Sequence, residues 1–217
     1  MQPEVILTDP IDVRRRLADL HLTVEILAEA ILAGELFRRS CTPNDAPTIP
    51  GIGFWGRIVR TLRELLVTSG FVRSDKGGLP VVVSPDKTFA IAVSTGDEDT
   101  GNPNEAASTK YPKGAKTAQA VVRNNGTRFL FQELELTPEE QAEATRLTWF
   151  LLVKREEKAI LSELSLPSGV ANGYVSSWSE RIILPTIDLD DDLHRAEPED
   201  GVGGDDLDID VTRRSAS

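Results

Sequence analysis

The segment Ser94–Thr117, STGDEDTGNPNEAASTKYPKGAKT, gathers the side chains of this chain best suited to hold a charged ligand. Asp97, Glu98 and Asp99 form an acidic triplet, and paired carboxylates suit a magnesium ion. A solvated acidic turn is the competing reading. Lys110, Lys113, Lys116 and Thr117 come next, just ahead of an expected helix start, where backbone N–H groups and the helix dipole attract anions. Arg123 and Arg128 extend the same charge, because no acidic residue occurs from Ala106 through Gln132. This basic stretch predicts contact with the phosphate of a nucleotide or nucleic acid; a mobile loop whose lysines serve solubility is the alternative.

Two sharper patterns fail at this segment. Read as a calcium loop, Asp97 and Asp99 match positions one and three, but Asn102 stands where glycine belongs and Ser108 where the closing glutamate belongs. Read as a P-loop, Lys113-Gly114-Ala115-Lys116-Thr117 has alanine in place of the glycine before its lysine, and lacks the second glycine upstream. Histidine chemistry has little to build on: His21 falls in a helix and His194 in an acidic end segment. No nucleophile elbow and no G-x-G-x-x-G after a strand occurs.

The elements that must position these residues follow from periodicity. Asp9 as N-cap and Pro10 in the first turn predict a helix running toward Gly34 or Ser40–Pro43. Along it Val13, Leu17, Leu20, Val24, Leu27 and Ile31 form a narrow apolar seam. That seam packs either inside the chain or against a second copy as a homodimer interface. Residues 42–53, with three prolines and two glycines, read as an extended connector. A second helix carries Trp55, Ile58, Val59, Leu62, Leu65 and Leu66 on one face and ends at Gly70. Arg57, Arg60 and Arg63, with Arg14, Arg15 and Arg16, offer either a phosphate-tracking surface or a solvated face.

Leu79–Ser84 and Thr88–Thr95, joined by Pro85-Asp86-Lys87, predict a β-hairpin. The polar stretch 96–116 reads as a loop that is either functional or disordered, followed by a short helix over Lys116–Arg123. A strand over Arg128–Glu135 and a helix opened by the capping box Thr137–Glu140, running to about Arg146, come next. Trp149–Val153 fits a buried strand, with Ile160–Leu166 and Tyr174–Ile183 as antiparallel neighbours. Trp149 and Trp178 belong to the core on this reading.

The fold class is therefore α+β: N-terminal helices, then a mainly antiparallel sheet with interspersed short helices. One domain is expected over 1–187, helical over about 9–70 and sheet-containing over about 71–187. Residues 188–217 carry eleven acidic residues and three arginines, which supply −8 of the chain's net charge of −11. That composition predicts a disordered acidic tail able to act as regulator or dock. The single Cys41 excludes an intramolecular disulfide and fits a reducing compartment, so the expected location is cytoplasmic. No apolar run long enough to span a membrane occurs, and the first residues lack the basic start of a signal peptide.

These features point first to a non-enzymatic binding protein that engages a protein partner or nucleic acid through the basic 106–132 stretch. Two alternatives stand beside it. One is a magnesium-assisted enzyme acting on a phosphate-containing substrate through the 94–117 loop. The other is a structural homo-oligomer paired through the first helix.

Overall fold

The computed structural model describes residues 4–124, 143 and 145–190. A single mixed sheet runs in the order β1-β7-β6-β5-β4-β3-β2, with β8 paired to β6. Its strands are β1 (Val5–Leu7), β2 (Val72–Ser74), β3 (Val81–Val83), β4 (Phe89–Thr95), β5 (Leu147–Arg155), β6 (Ala159–Ala171), β7 (Tyr174–Ile183) and β8 (Ile187–Asp188). The pairs β1–β7 and β4–β5 are parallel and the others antiparallel. Helices α1 (Pro10–Asp19), α2 (Val24–Ser40) and α3 (Ile49–Leu66) cover one face, and α4 (Ala115–Asn124) lies on the other. The chain is α+β, as its periodicity predicts, with a short strand ahead of the helices that the sequence reading did not anticipate.

Strand alternation builds both layers. Trp149, Leu151 and Val153 of β5 pack with Leu17, Leu27, Ile31, Ile58 and Leu62 beneath the three helices. Phe150 and Leu152 point the other way, to Val121 of α4, Val175 and Trp178. A strand buried on both faces has no polar side to show, which is why 149–153 reads as one unbroken apolar run. Both tryptophans are core residues, at 1% and 6% exposure.

The expected long first helix is in fact two. Asp9 caps α1, its Oδ1 accepting from the Ile11 amide at 2.9 Å, with Pro10 in the first turn. The helix stops at Leu20, and His21 turns the chain at φ 54°. Thr23 then caps α2, its Oγ1 accepting from the Ile26 amide at 3.2 Å. The seam survives the break because it faces inward on both helices. Val13, Leu17, Leu20, Leu27 and Ile31 are at most 6% exposed, and Val24 packs against the same cluster. These side chains are spent inside the chain and offer no exposed seam to a second copy.

The expected connector 42–53 is shorter than its composition implies, since α3 begins at Ile49 with Pro50 in its first turn. Gly53 in it, and Gly34 in α2, serve packing. A Cβ on Gly53 would stand 1.8 Å from Phe37 Cε1, and one on Gly34 would meet Ile58 Cγ1 at 2.7 Å. Glycine here permits α2 and α3 to approach closely instead of breaking a helix. Gly70, at φ 82°, ends the helical region as expected. The hairpin around Pro85-Asp86-Lys87 is present as β3–β4, with Asp86 holding the Ser84 and Thr88 hydroxyls at 2.6 and 2.8 Å.

Of the six helix arginines read as a phosphate-tracking surface or a solvated face, five are in ion pairs among the described residues, Arg57 being the exception. Arg14, Arg15, Arg16, Arg60 and Arg63 pair with Glu25, Asp12, Glu180, Glu64 and Asp75. At the other end, the ordered body passes the expected boundary at 188. Asp188 lies in β8, and Leu189 is 1% exposed, with its carbonyl accepting from Arg39 at 3.3 Å. The expected strand over Arg128–Glu135 and the capping box Thr137–Glu140 lie outside the described residues, as does the acidic segment from 191 onward. Glu143 and Thr145, toward the end of the helix expected to reach Arg146, are helical.

Candidate functional site

The 96–110 segment is a packed, hydrogen-bonded structure on the α4 side of the sheet, which corrects its reading as a solvated mobile loop. Its base is a bridge between Gly96 and Thr109. Asp97 Oδ2 accepts from the Ser108 amide at 2.9 Å, while Oδ1 accepts from the Asp99 amide at 3.2 Å and the Thr100 hydroxyl at 3.4 Å. Thr100, Ala107 and Thr109 are 0% exposed. Trp178 Nε1 donates to the Ala107 carbonyl at 2.7 Å.

Underneath lies a buried ion pair, Arg181 to Glu163 at 2.6 Å, with both side chains at most 1% exposed. Arg181 also donates to the carbonyls of Glu105 at 2.7 Å and Asn102 at 3.1 Å, and Glu163 accepts from the Gly101 amide at 2.9 Å. A charge pair withdrawn from water persists only with its remaining hydrogen bonds made, and here the loop backbone makes them.

These bonds decide the fate of the acidic triplet. The Asp97 carboxylate is spent on the loop itself, and Glu98 contributes its carbonyl to Lys154 at 2.7 Å. Among the described residues no group of three or more histidine, cysteine, aspartate or glutamate side chains is placed to hold a metal ion. Asp97, Glu98 and Asp99, read from the sequence as a magnesium site, are accordingly not gathered into such a group.

The basic residues separate along the chain. Lys110 lies 5.9 Å over the Tyr111 ring, exposed. Lys116 runs along Gly77, its Cδ 3.1 Å from where a Cβ would stand on that glycine. Arg123 is at the far end of α4, donating to the carbonyls of Gln119 and Glu143, and Arg128 is outside the described residues. Lys113 and Thr117 do meet. Both line a pocket of about 330 Å³ with Trp55, Leu79, Pro80, Ser94 and Phe150.

The pocket exists because the sheet opens there. One step beyond the Val81–Ala92 pair, the register sets Pro80 opposite Val93, and proline has no N–H to continue the ladder. The Val93 carbonyl is instead satisfied by Trp55 Nε1 at 3.0 Å, which fixes the indole as a wall. The Thr95 carbonyl accepts from the Lys110 amide at 3.0 Å, so β4 continues past β3 without an open acceptor at either position.

Lys113 approaches from the other side, anchored by its amide on the Gly173 carbonyl at 2.7 Å. Its ammonium makes no hydrogen bond or ion pair among the described residues, and burial alone pushes its pKa below the usual lysine value. The amides of Ala115, Lys116 and Thr117, which open α4, also have no acceptor among the described residues, as expected of a first helical turn without a cap. The arrangement is an apolar recess with one cation unpaired among the described residues and hydroxyl-bearing Ser94 and Thr117 in its walls, beside the uncapped first turn of α4. Such a recess is suited to a ligand with an anionic group and an apolar body.

Of the pocket's lining, sequence reasoning named Lys113 and Thr117 but not the walls. Pro80 directly before a valine run was the available signal, since proline inside a strand pattern marks a place where pairing stops. Compared with protein-family models, curated proteins and solved structures, the chain matches none of them.

Proposed function

We propose that the chain is a non-enzymatic binding protein that takes a phosphate-bearing ligand, nucleotide or nucleic acid, in the Lys113 pocket. One observation supports this reading: a partly buried lysine, without a counter-charge among the described residues, lines a recess whose walls are otherwise apolar or hydroxylic. Placing a cation there costs solvation free energy, and an incoming anion restores it. Among the described residues the pocket walls include no carboxylate to serve as general base or metal ligand, which favours holding a ligand over transforming it. A protein partner would have to present an acidic group to the same lysine. We place the protein in the cytoplasm on the strength of its single cysteine; among the described residues no helix is long and apolar enough to cross a membrane.

Thermal shift with inorganic phosphate, mononucleotides and a short acidic peptide tests the reading, since a ligand that binds only the native state raises Tm. A phosphate-bearing ligand raises Tm for the parent chain and not for Lys113→Gln. The effect weakens as pH rises through the lysine range, where the ammonium is lost. Unchanged melting with every phosphate compound refutes the reading, and a response to the peptide alone replaces nucleic acid with a protein partner.

A further inference from the structure

The surroundings of the pocket identify the ligand more closely. Tyr111 is 57% exposed and Tyr174 37% exposed, two of the few large side chains with apolar rings left in water. They stand at one corner. The turn between β6 and β7 packs on the chain just before α4, where a Cβ on Gly173 would lie 3.2 Å from Pro112 Cβ. Tyr111 immediately precedes Pro112, and Tyr174 immediately follows Gly173. Lys110 lies over Tyr111, Lys113 lines the adjoining pocket, and Lys116 runs along Gly77, next to Gly78 of the pocket wall. Cations and open aromatic rings thus alternate within a few residues of a recess bounded by Trp55, Pro80 and Phe150.

Resting on the reading that the Lys113 pocket holds a phosphate-bearing ligand, we infer that this ligand is a single-stranded nucleic acid. One base enters the pocket and a neighbouring base stacks on Tyr111. Phosphates alone would account for the lysines. Exposed rings beside them gain nothing from a duplex, whose bases are already stacked and show only their edges. A single strand offers free base faces, and base–aromatic stacking joined to a basic track is the usual basis of binding without sequence preference. A recess of about 330 Å³ lies at the small end of the range for ligand sites, fit for one base and not for a helix.

Trp55 supplies the readout, because Trp149 and Trp178 are buried at 1% and 6% exposure. The full chain is titrated at low salt with a labelled oligothymidylate, the matching oligouridylate, a duplex carrying the same label, and inorganic phosphate. Expected are quenching of tryptophan emission, affinity for a single strand at least tenfold above that for the duplex, and a log–log salt slope of roughly −2 from three lysines. The thymidylate and uridylate arms distinguish DNA from RNA. Tyr111→Ala weakens the single strand about tenfold while Tyr111→Phe retains it; the side chain is exposed, so both variants fold. Equal affinity for duplex and single strand overturns the inference, as does an unaffected Tyr111→Ala. So does a Tm response to inorganic phosphate without any binding of oligonucleotide, an outcome that leaves the pocket reading standing.

Discussion

Arg181 and Lys113 are cations on the same side of the sheet, and the chain treats them in opposite ways. Arg181 is sealed against Glu163 and two backbone carbonyls, with every contact internal. Lys113 is only partly buried, lines a recess and has no counter-charge among the described residues. The first charge is consumed in holding residues 101–105 on the sheet, so removing it should damage the fold. The second contributes no bond to the fold, so removing it should damage binding alone. Internal pairing, more than burial, separates a structural charge from one available to a ligand.

The largest effect should follow from breaking the sealed pair. Arg181→Met leaves Glu163 buried without its cation and should cost about 3–5 kcal/mol in urea unfolding. The double variant Glu163→Leu with Arg181→Met should recover much of that loss. A silent single variant would erase the contrast.

Glu35 sharpens it from the other helical layer. Burial pushes its pKa up, but hydrogen bonds from Arg155, Arg38 and Arg39 outweigh this and hold it below the ordinary carboxylate value of 4.5. A carboxylate depressed in the native state contributes stability that is fully present above its unfolded pKa. That contribution is lost as pH falls through the folded value. Glu35→Gln should cost about 2 kcal/mol at neutral pH and flatten the acid limb of a Tm-against-pH series.

Asp97→Ala should cost roughly 1–2 kcal/mol through the Ser108 and Asp99 amides left without their acceptor. It should also speed amide exchange between 97 and 109. The smallest effect, opposite in sign, belongs to Lys113→Met. Removing a dehydrated charge should raise Tm by about 1–3 °C while abolishing the phosphate response. In the parent chain the unfolded state binds this proton more tightly, so stability should rise with pH through the lysine range, and Lys113→Met should remove that part of the rise.

The sequence showed what periodicity and local caps encode. Asp9-Pro10 opened a helix, Trp149–Val153 and its partners formed strands, and Lys113 with Thr117 marked the mouth of α4. It misread elements whose signals are tertiary. Thr23 is a helix cap without a neighbouring glycine or proline, so an unbroken seam concealed the joint at His21. Gly51 and Gly53 resembled a linker because the Phe37 ring that requires Gly53 is distant in sequence. The 96–110 segment looked solvated because its anchors, Glu163 and Arg181, arrive much later in the chain. The pocket was invisible for the same reason: its walls come from α3, β4, β5 and the approach to β3, and only Pro80 gives a local sign.

The parallel pairing of Val5–Leu7 with Glu180–Ile182 also sets an order of events. The earliest strand leaves the ribosome with no neighbour to accept its amides, and nearly the whole described chain must follow before one exists. Arg16, which clasps Glu180 at 2.6 Å, waits with it. A nascent polypeptide halted before Glu180 would lack its closing seam, so synthesis itself delays completion of the sheet until β7 has emerged.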